Sequence, residues 1–365
     1  MRITDDTPKY LQLKDFIKNS IQNGELVKGE KIYSENELAK KFNISRHTVR
    51  QAIGEMVNEG WLYRSQGSGT FVSSIKGIKK EPSKIIGVIT TYLDDYIFPS
   101  IIKGIDNVLS KQGYSMILSH TNNKIEREAQ CITSMLQKNV DGFIIEPTKS
   151  ALPNPNHELY MEIKKKDLPL ILINGYYPSQ DNSYVVEDDE AGGYLAANHL
   201  FSLGHEKIGG IFKVDDIQGH NRYKGVVKAH REHGLHIAEE SVIWYTTEDL
   251  DNLFDEYHGN TVLKRLADCS GMVCYNDQIA LMVLELLKKS GKKVPGDVSV
   301  VSFDDSELAT ASEIKLTTLA HPGGFLGEKA ADGLLDLLRF KKHKIKECIK
   351  PELVVRSSTA GLKRE

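Results

Sequence analysis

"SRHTVRQAIGEMVNEGWLYRSQGSGTFV" runs from Ser45 to Val72. Val49, Ile53, Met56 and Val57 recur at helical spacing, and Ser45 suits the N-cap. Arg46, His47, Thr48 and Arg50 crowd donors into the first turns of that helix. "WLYRSQ" and "GTFV" then form two β-prone runs around Gly67-Ser68-Gly69. Those glycines permit a tight hairpin and let its tip approach another backbone closely. Upstream, "SENELAKKFNIS" has Ser34 and Glu37 in capping-box spacing, with Leu38, Ala39 and Phe42 on one face and Asn43 at a turn. Tyr10, Leu13, Ile17 and Ile21 mark an earlier helix, with Pro8 in its first turn and Gly24 at its end. Two short helices joined by a tight turn make a helix-turn-helix, whose second helix enters the major groove by its N-terminal residues. Arginine can bond guanine O6 and N7 together, and His or Thr can serve single base atoms or phosphates. Free N–H groups at the helix start also attract phosphate. The plainer alternative is a solvated polar helix start. A hairpin beside a groove-reading helix reads as a wing. "GSG" lacks the surrounding pattern of a nucleotide phosphate loop.

The 365 residues are too many for one ordinary core. With 40% hydrophobic and 27% charged residues, the chain fits the globular class. No stretch approaches the ~20 apolar residues of a membrane span. "MRITDDTPKY" lacks the apolar core of a signal peptide, so a cytoplasmic protein is expected. Cys131, Cys269, Cys274 and Cys348 form no paired motif and read as reduced thiols. The net charge of −3 hides an asymmetry. Residues 1–80 hold 14 Lys+Arg against 9 Asp+Glu, a balance of +5, and the remainder holds 33 against 41, a balance of −8. A basic segment points to a nucleic-acid partner.

Leu26–Val72, "LVKGEKIYSENELAKKFNISRHTVRQAIGEMVNEGWLYRSQGSGTFV", resembles the winged helix of the GntR family of bacterial regulators. That resemblance implies a DNA face made of Glu35, Arg46, His47, Thr48 and Arg50. It also implies Gln66 and Gly67 at the wing tip and Lys9 near a phosphate. Glu35 can accept from cytosine N4 or hold a neighbouring arginine.

Residues 73–83, "SSIKGIKKEPS", read as a polar linker. From Lys84 the pattern changes. "KIIGVIT", "YSMILSH", "VDGFIIEP", "LPLILIN", "KIGGIFK", "VIWYT", "GMVCYND" and "VSVVSFDD" have strand length, with helix-like stretches between most of them. Alternation of this kind predicts parallel sheets covered on both faces. A break near Asp188 predicts two doubly wound halves. Ligands of such sheets bind beyond the strands' carboxyl ends. Those ends, "TTYLDDY", "SHTNN", "EPTKS", "NGYY", "CYNDQ" and "SFDDSE", are rich in hydroxyl, amide, carboxylate and aromatic groups. They suit a polyol; equally, Asp and Asn there can be loop formers and caps.

The second module is similar to the effector domain of the LacI/GalR family, itself related to periplasmic sugar-binding proteins. "VDGFII", "DDEAGGYLAANHLFSLGHEKIGGI", "GHNRYKGVVKAHREHGL", "CYNDQIALMVLELLKKSGKKVPGDVSVVSFDD" and "LTTLAHP" carry the resemblance over nearly all of 84–356. It implies that Arg222 clamps sugar hydroxyls and that Asn276, Asp304 and His321 face the ligand. His321 as a packed structural histidine remains open. Tyr92, Tyr96 and Glu146 are the candidates from the other half. Asp277 is expected to cap its helix, and "DDEAGG" to be a crossover where Gly192 and Gly193 allow close packing. The family's own helix-turn-helix and apolar hinge helix have no counterpart pattern here.

The expected architecture is therefore multidomain. A winged helix-turn-helix (α+β, residues 1–72) and a linker (73–83) precede a periplasmic-binding-protein-like α/β domain of two parallel-sheet halves (84–365). The pairing resembles the arabinose-responsive repressor family. It implies a homodimer on a two-fold-symmetric site in double-stranded DNA, released by a small sugar, L-arabinose first. Another pentose, hexose or glycoside is the alternative within the class, and a solute-binding receptor the alternative outside it. No nucleophile–base pair, metal-ligand cluster or cofactor fingerprint is legible, so no enzyme, metal or cofactor is expected.

Overall fold

The structure is a computed structural model that describes residues 8–73, 82–93, 96–340 and 344–362. The chain divides into two compact units, Met1–Pro82 and Ser83–Glu365. Most of the linker read at 73–83 lies outside the described residues.

The first unit has three helices and a hairpin. Helix α1 (Lys9–Gln22) starts after Pro8, which stands at the N-cap rather than in the first turn. Helix α2 (Glu35–Phe42) is fixed at its start by the capping box. Ser34 Oγ accepts from Glu37 N (3.3 Å) and Ser34 N donates to Glu37 Oε2 (2.7 Å). The helix ends at Asn43, whose φ of 50° is left-handed; asparagine tolerates that conformation better than most residues. Helix α3 (Arg46–Asn58) is capped by Ser45, whose Oγ accepts from Thr48 N (3.1 Å). Strands β1 (Leu62–Ser65) and β2 (Gly69–Val72) pair antiparallel. Gly67 and Gly69 supply the positive φ of the turn, 76° and 124°. Leu13, Ile17, Leu38, Val49, Ala52, Ile53, Met56 and Leu62 are buried together. Each of the larger ones contributes about 1.5–3 kcal/mol by leaving water. Lys14 ties α1 to α3 through Glu55 (2.7 Å) and Glu59 (2.6 Å).

The second unit has two lobes, each built on a six-stranded sheet. The proximal lobe takes β3 (Ile85–Thr90), α4 (Phe98–Lys111), β4 (Ser115–His120), α5 (Ile125–Gln137), β5 (Gly142–Ile145), α6 (His157–Lys165), β6 (Leu170–Ile173) and β7 (Ser183–Glu187). The chain then crosses into α7 (Asp189–Ser202), β8 (Ile208–Lys213), α8 (Ile217–Glu232), β9 (Val242–Tyr245) and α9 (Glu256–Arg265). The distal lobe continues with β10 (Gly271–Cys274), α10 (Asp277–Lys289), β11 (Ser299–Asp304), α11 (Leu308–Ala311) and β12 (Thr317–Ala320). Helix α12 (Gly323–Phe340) and β13 (Lys346–Ile349) return to the proximal lobe, and β14 (Glu352–Val354) goes back to the distal one. The sheet orders are β13-β7-β6-β5-β3-β4 and β14-β12-β11-β10-β8-β9. All pairings are parallel except β12 with β14.

The break expected near Asp188 is real, but the halves are interleaved rather than consecutive. Three crossings, at β7–α7, β12–α12 and β13–β14, join the lobes along one edge of both sheets. Helices also pack closely within each lobe. A Cβ on Gly193 of α7 would lie 1.9 Å from the carbonyl oxygen of Arg222 on α8, and one on Gly327 of α12 would lie 2.2 Å from that of Ile101 on α4. The four cysteines are free, with Cys348 exposed and the other three buried. No described helix is long and apolar enough to cross a membrane.

Candidate functional site

Two surfaces gather the residues singled out from the sequence. On the first unit, Arg46, His47 and Arg50 are exposed along the start of α3. Glu35, at the start of α2, accepts from Arg50 Nε at 3.0 Å. Thr48 is half-buried and its hydroxyl meets Ser45 Oγ at 2.8 Å, so it also serves the cap. Lys9 Nζ donates to Asn43 O (3.2 Å), at the turn between the two short helices. Gln66 and Gly67 are exposed at the hairpin tip. Arg64, exposed on β1, is a further cation on the hairpin that the sequence reading passed over.

On the second unit, the carboxyl ends of the two sheets face one cleft of about 360 Å³. Tyr92, Tyr96, Glu146, Arg222, Asn276, Asp304 and His321 all line it. Tyr96 and Glu146 come from loops after β3 and β5, Arg222 from α8, and Asp304 from the end of β11. Lys213, Asp216, Gln218, Tyr245 and Tyr275 also line the cleft and were not singled out from the sequence. Tyr275 sits inside the strand end "CYNDQ" and was within reach of the same rule. Lys213 closes "KIGGIFK" and Asp216 follows it, at a strand end that was not read.

Arg222 is the centre of the distal wall. It is 2% exposed, with its plane over Phe303 (4.2 Å) and Tyr275 (4.9 Å). Nε donates to Asp189 Oδ1 (2.8 Å) and Nη1 to the carbonyl oxygen of Tyr275 (2.5 Å). Nη2 lies 3.8 Å from Glu187 and 3.9 Å from Asp304. Burial alone would lower its pKa, but the carboxylates, led by Asp189 and Asp304, raise it, so it stays charged. Burial pushes Asp189 up to about 6 and raises Glu187 well above its ordinary value. Burial and the neighbouring carboxylates Asp189 and Asp304 thus disfavour charge on Glu187, while Arg222 favours it.

Glu146 anchors the proximal wall. Oε2 accepts from Thr91 N (2.6 Å) and Thr91 Oγ1 (2.5 Å), and Oε1 accepts from Asn174 Nδ2 (2.9 Å). Burial raises it to about 7, more than those bonds lower it. His321 is held neutral, at about 3, by burial and the neighbouring Arg222. Gly323 N donates to its Nδ1 (3.0 Å), which leaves the proton on Nε2, 3.3 Å from Asn174 Oδ1. It is thus both packed and cleft-lining. Tyr96 donates to Asp304 Oδ2 (2.7 Å) and Tyr275 to Asp216 Oδ2 (2.9 Å).

One expectation is reversed. Asn276, not Asp277, caps α10, its Oδ1 accepting from Ile279 N (3.0 Å). Asn276 lines the cleft as well as capping the helix. Asp277 is fully buried and ties Ser302 (2.5 Å), Ser306 (2.9 Å) and Thr318 (3.0 Å) together behind the cleft wall.

Residues 9–72 match the family described as bacterial regulatory proteins, gntR family. Residues 197–359 match the periplasmic binding protein-like domain. An arabinose metabolism transcriptional repressor of Geobacillus stearothermophilus is 44% identical over 356 residues, 96% of this chain and 98% of that protein. One of Halalkalibacterium halodurans is 43% identical, with 98% of each chain covered. The chain belongs to the arabinose metabolism transcriptional repressor family. It is a DNA-binding regulator and not an enzyme. Among solved structures, a LacI family transcriptional regulator from Enterococcus faecium with bound ribose is 29% identical, with a TM-score of 0.62 over 76% of this chain and all of that one. A CelR–cellobiose complex, 22% identical, shares the fold, with a TM-score of 0.66 over 86% of this chain and 90% of that one. For the repressor, these likenesses give the winged head and the two-lobed sensor the same order along the chain as in its relatives.

Proposed function

We propose that L-arabinose is the effector, bound in the interlobe cleft, and that it releases a homodimer from a two-fold-symmetric operator in the cytoplasm. The observation that carries this is the lining of the cleft. Guanidinium, carboxyl, amide and hydroxyl groups converge from both lobes, with the aromatic rings of Tyr92, Phe98, Tyr245 and Tyr275 between them. Planar polar groups can each engage two hydroxyls, and ring faces suit the C–H patches of a sugar. The volume lies at the small end of ligand pockets, about 300–1,000 Å³. The relatives' names supply arabinose, and the ribose-bound neighbour supports a pentose in such a cleft. Glu35, Arg46, His47, Thr48, Arg50, Gln66, Gly67 and Lys9 form the DNA face in this reading. Paired heads on a symmetric site gain affinity through effective concentration.

Calorimetric titration with L-arabinose, D-ribose, D-xylose, D-galactose and cellobiose tests the effector, together with operator binding at each saturating sugar. L-arabinose should bind most tightly and weaken operator binding. Arg222→Ala should hold the operator but fail to release it at sugar concentrations that release the wild type. Loss of the clamp removes charge-assisted bonds worth roughly 1.5–3 kcal/mol. Tighter binding of another sugar reassigns the effector, and normal release by the variant removes Arg222 from the site.

A further inference from the structure

The loops after β4, β5, β8 and β9 meet to one side of the cleft. Lys149 Nζ lies 2.6 Å from Glu248 Oε1 and 3.7 Å from Asp215, which is 1% exposed. Asn123 Nδ2 donates to Thr247 Oγ1 (2.6 Å), and that hydroxyl donates to Asp215 Oδ2 (2.8 Å). Ser150 Oγ donates to Asp216 Oδ1 (2.9 Å) and accepts from Ile217 N (2.9 Å). These bonds link the proximal lobe to the distal one. The two proximal loops are also locked to each other, since Asn123 Oδ1 accepts from Lys149 N (2.9 Å). Asn123 and Lys149 hold positive φ, 52° and 47°, a region that lysine seldom adopts.

The position of this cluster follows from topology. The chain crosses between lobes beside β7, β13, β12 and β14, at one edge of each sheet. Strands β4 and β9 are the opposite edges. At about 4.8 Å per strand the cluster stands roughly 10–20 Å from the crossings. A hinge rotation of about 10° would move it by roughly 2–3 Å, more than a hydrogen bond tolerates. Opening therefore breaks these bonds at its outset. Asn123, Lys149, Ser150 and Glu248 do not line the cleft, whereas Asp216 and Thr247 do and connect the two.

We propose that this cluster is a clasp that sets the closed fraction of the ligand-free repressor and, through it, the effector concentration to which the repressor responds. Lys149 and Glu248 act in it without touching the effector. The inference rests on the reading of the cleft as the effector site. A ligand that binds only the closed form has its apparent affinity reduced by the closed fraction. Exchange of the Ile217 amide, whose partner is across the lobes, reports the open fraction. The product of that exchange rate and the apparent sugar Kd varies inversely with the closed-to-open ratio, whichever state predominates.

The test uses the full chain and the variants Lys149→Met, Glu248→Gln and the double. Hydrogen exchange at Ile217 is measured without sugar, and L-arabinose affinity by calorimetry. Lys149→Met should raise the product roughly three- to tenfold, because it strips the cation from two carboxylates. Glu248→Gln should raise it less, and the double should not exceed Lys149→Met appreciably, since the two share one contact. Operator affinity without sugar should not fall. A product unchanged within about twofold in Lys149→Met, or single effects that simply multiply in the double, overturns the clasp. If the wild type binds no sugar, exchange at Ile217 still decides the matter. Faster exchange in Lys149→Met keeps the clasp and removes the effector reading, and unchanged exchange removes the clasp.

Discussion

Arg50 shows how one side chain depends on its neighbour. Glu35 accepts from Nε at 3.0 Å, a bond that engages one edge of the guanidinium and not its terminal nitrogens. Arg46→Ala or Arg50→Ala should each cost about 1–3 kcal/mol of operator affinity and relax sequence choice if the side chain reads a base. A phosphate contact would weaken all sequences evenly and flatten the salt dependence. Anisotropy titrations on operator and scrambled DNA at two salt concentrations separate these outcomes, and wild-type binding by both variants removes both residues from the face. In the cleft the sharpest single-residue expectation concerns pH. Glu146 rises from 4.5 to about 7 on burial, so the folded chain keeps a proton that the unfolded chain has released. Its contribution is full below about 4.5 and is lost as pH rises through about 7. His321 has the opposite sign, with a contribution present above its ordinary 6.5 and lost as pH falls toward 3. Between about pH 6 and 7.5 the two oppose each other, so the Glu146 part is isolated by comparison with a variant that lacks its carboxyl. Between pH 6 and 8 the Glu146 titration alone should subtract about 1 kcal/mol of stability, read as the difference in slope between the wild type and Glu146→Gln. Glu146→Gln should lower the starting value, because one amide oxygen cannot serve both Thr91 and Asn174. The same variant should lack that loss; chemical denaturation of both proteins at both pH values reads each effect, and equal slopes in the two would assign the titration to another group.

At the scale of elements, glycines decide how closely helices approach. Gly193 of α7 and Gly225 of α8 face each other's backbones, with a Cβ on the second only 2.0 Å from the carbonyl oxygen of Glu190. Gly193→Ala should destabilise the sensor by about 1–3 kcal/mol through overpacking. It should also weaken effector response, since the atom it strikes is the carbonyl of Arg222 itself. Thermal melts and sugar titrations together check this, and a variant with normal stability and normal response would show that the helices slide apart freely. Much of this layer was legible. The eight apolar runs each became a strand, and the Ser34–Glu37 and Ser45 caps form as their spacing implied. Strands β7, β12, β13 and β14 escaped because "SYVVE", "TTLA", "KECI" and "ELV" are short, and the last two lie at sheet edges with little apolar pattern. The interleaving of the lobes escaped for a different reason. Nothing local in "GGFLGEKAADGLLDLLRF" says which lobe its apolar face will cover. The swap between Asn276 and Asp277 has the same origin, since two adjacent residues with equal capping ability are separated only by backbone angles. Asn276, at φ −153°, has the extended conformation of a cap.

At the scale of the whole molecule, the repressor is two compact units, to which the proposed function assigns different ligands. A ligand that binds one folded unit stabilises that unit by mass action, about 2.7 kcal/mol at one hundred times Kd. Calorimetric unfolding should therefore show two transitions. L-arabinose should raise the one belonging to Ser83–Glu365 and leave that of Met1–Pro82 in place, and short operator DNA should do the reverse. Coupling between the sites then appears only with both ligands present. If sugar lowers operator affinity by some factor, operator DNA must lower sugar affinity by the same factor. Each factor can be titrated separately, by calorimetry with and without DNA and by anisotropy with and without sugar. Unequal factors would mean that sugar or DNA also changes the assembly state, so that the two titrations follow different species. Equal factors in the wild type that both collapse toward one in Arg222→Ala would locate the origin of the coupling at the buried guanidinium, where the distal wall of the cleft and the packing of α8 against α7 meet.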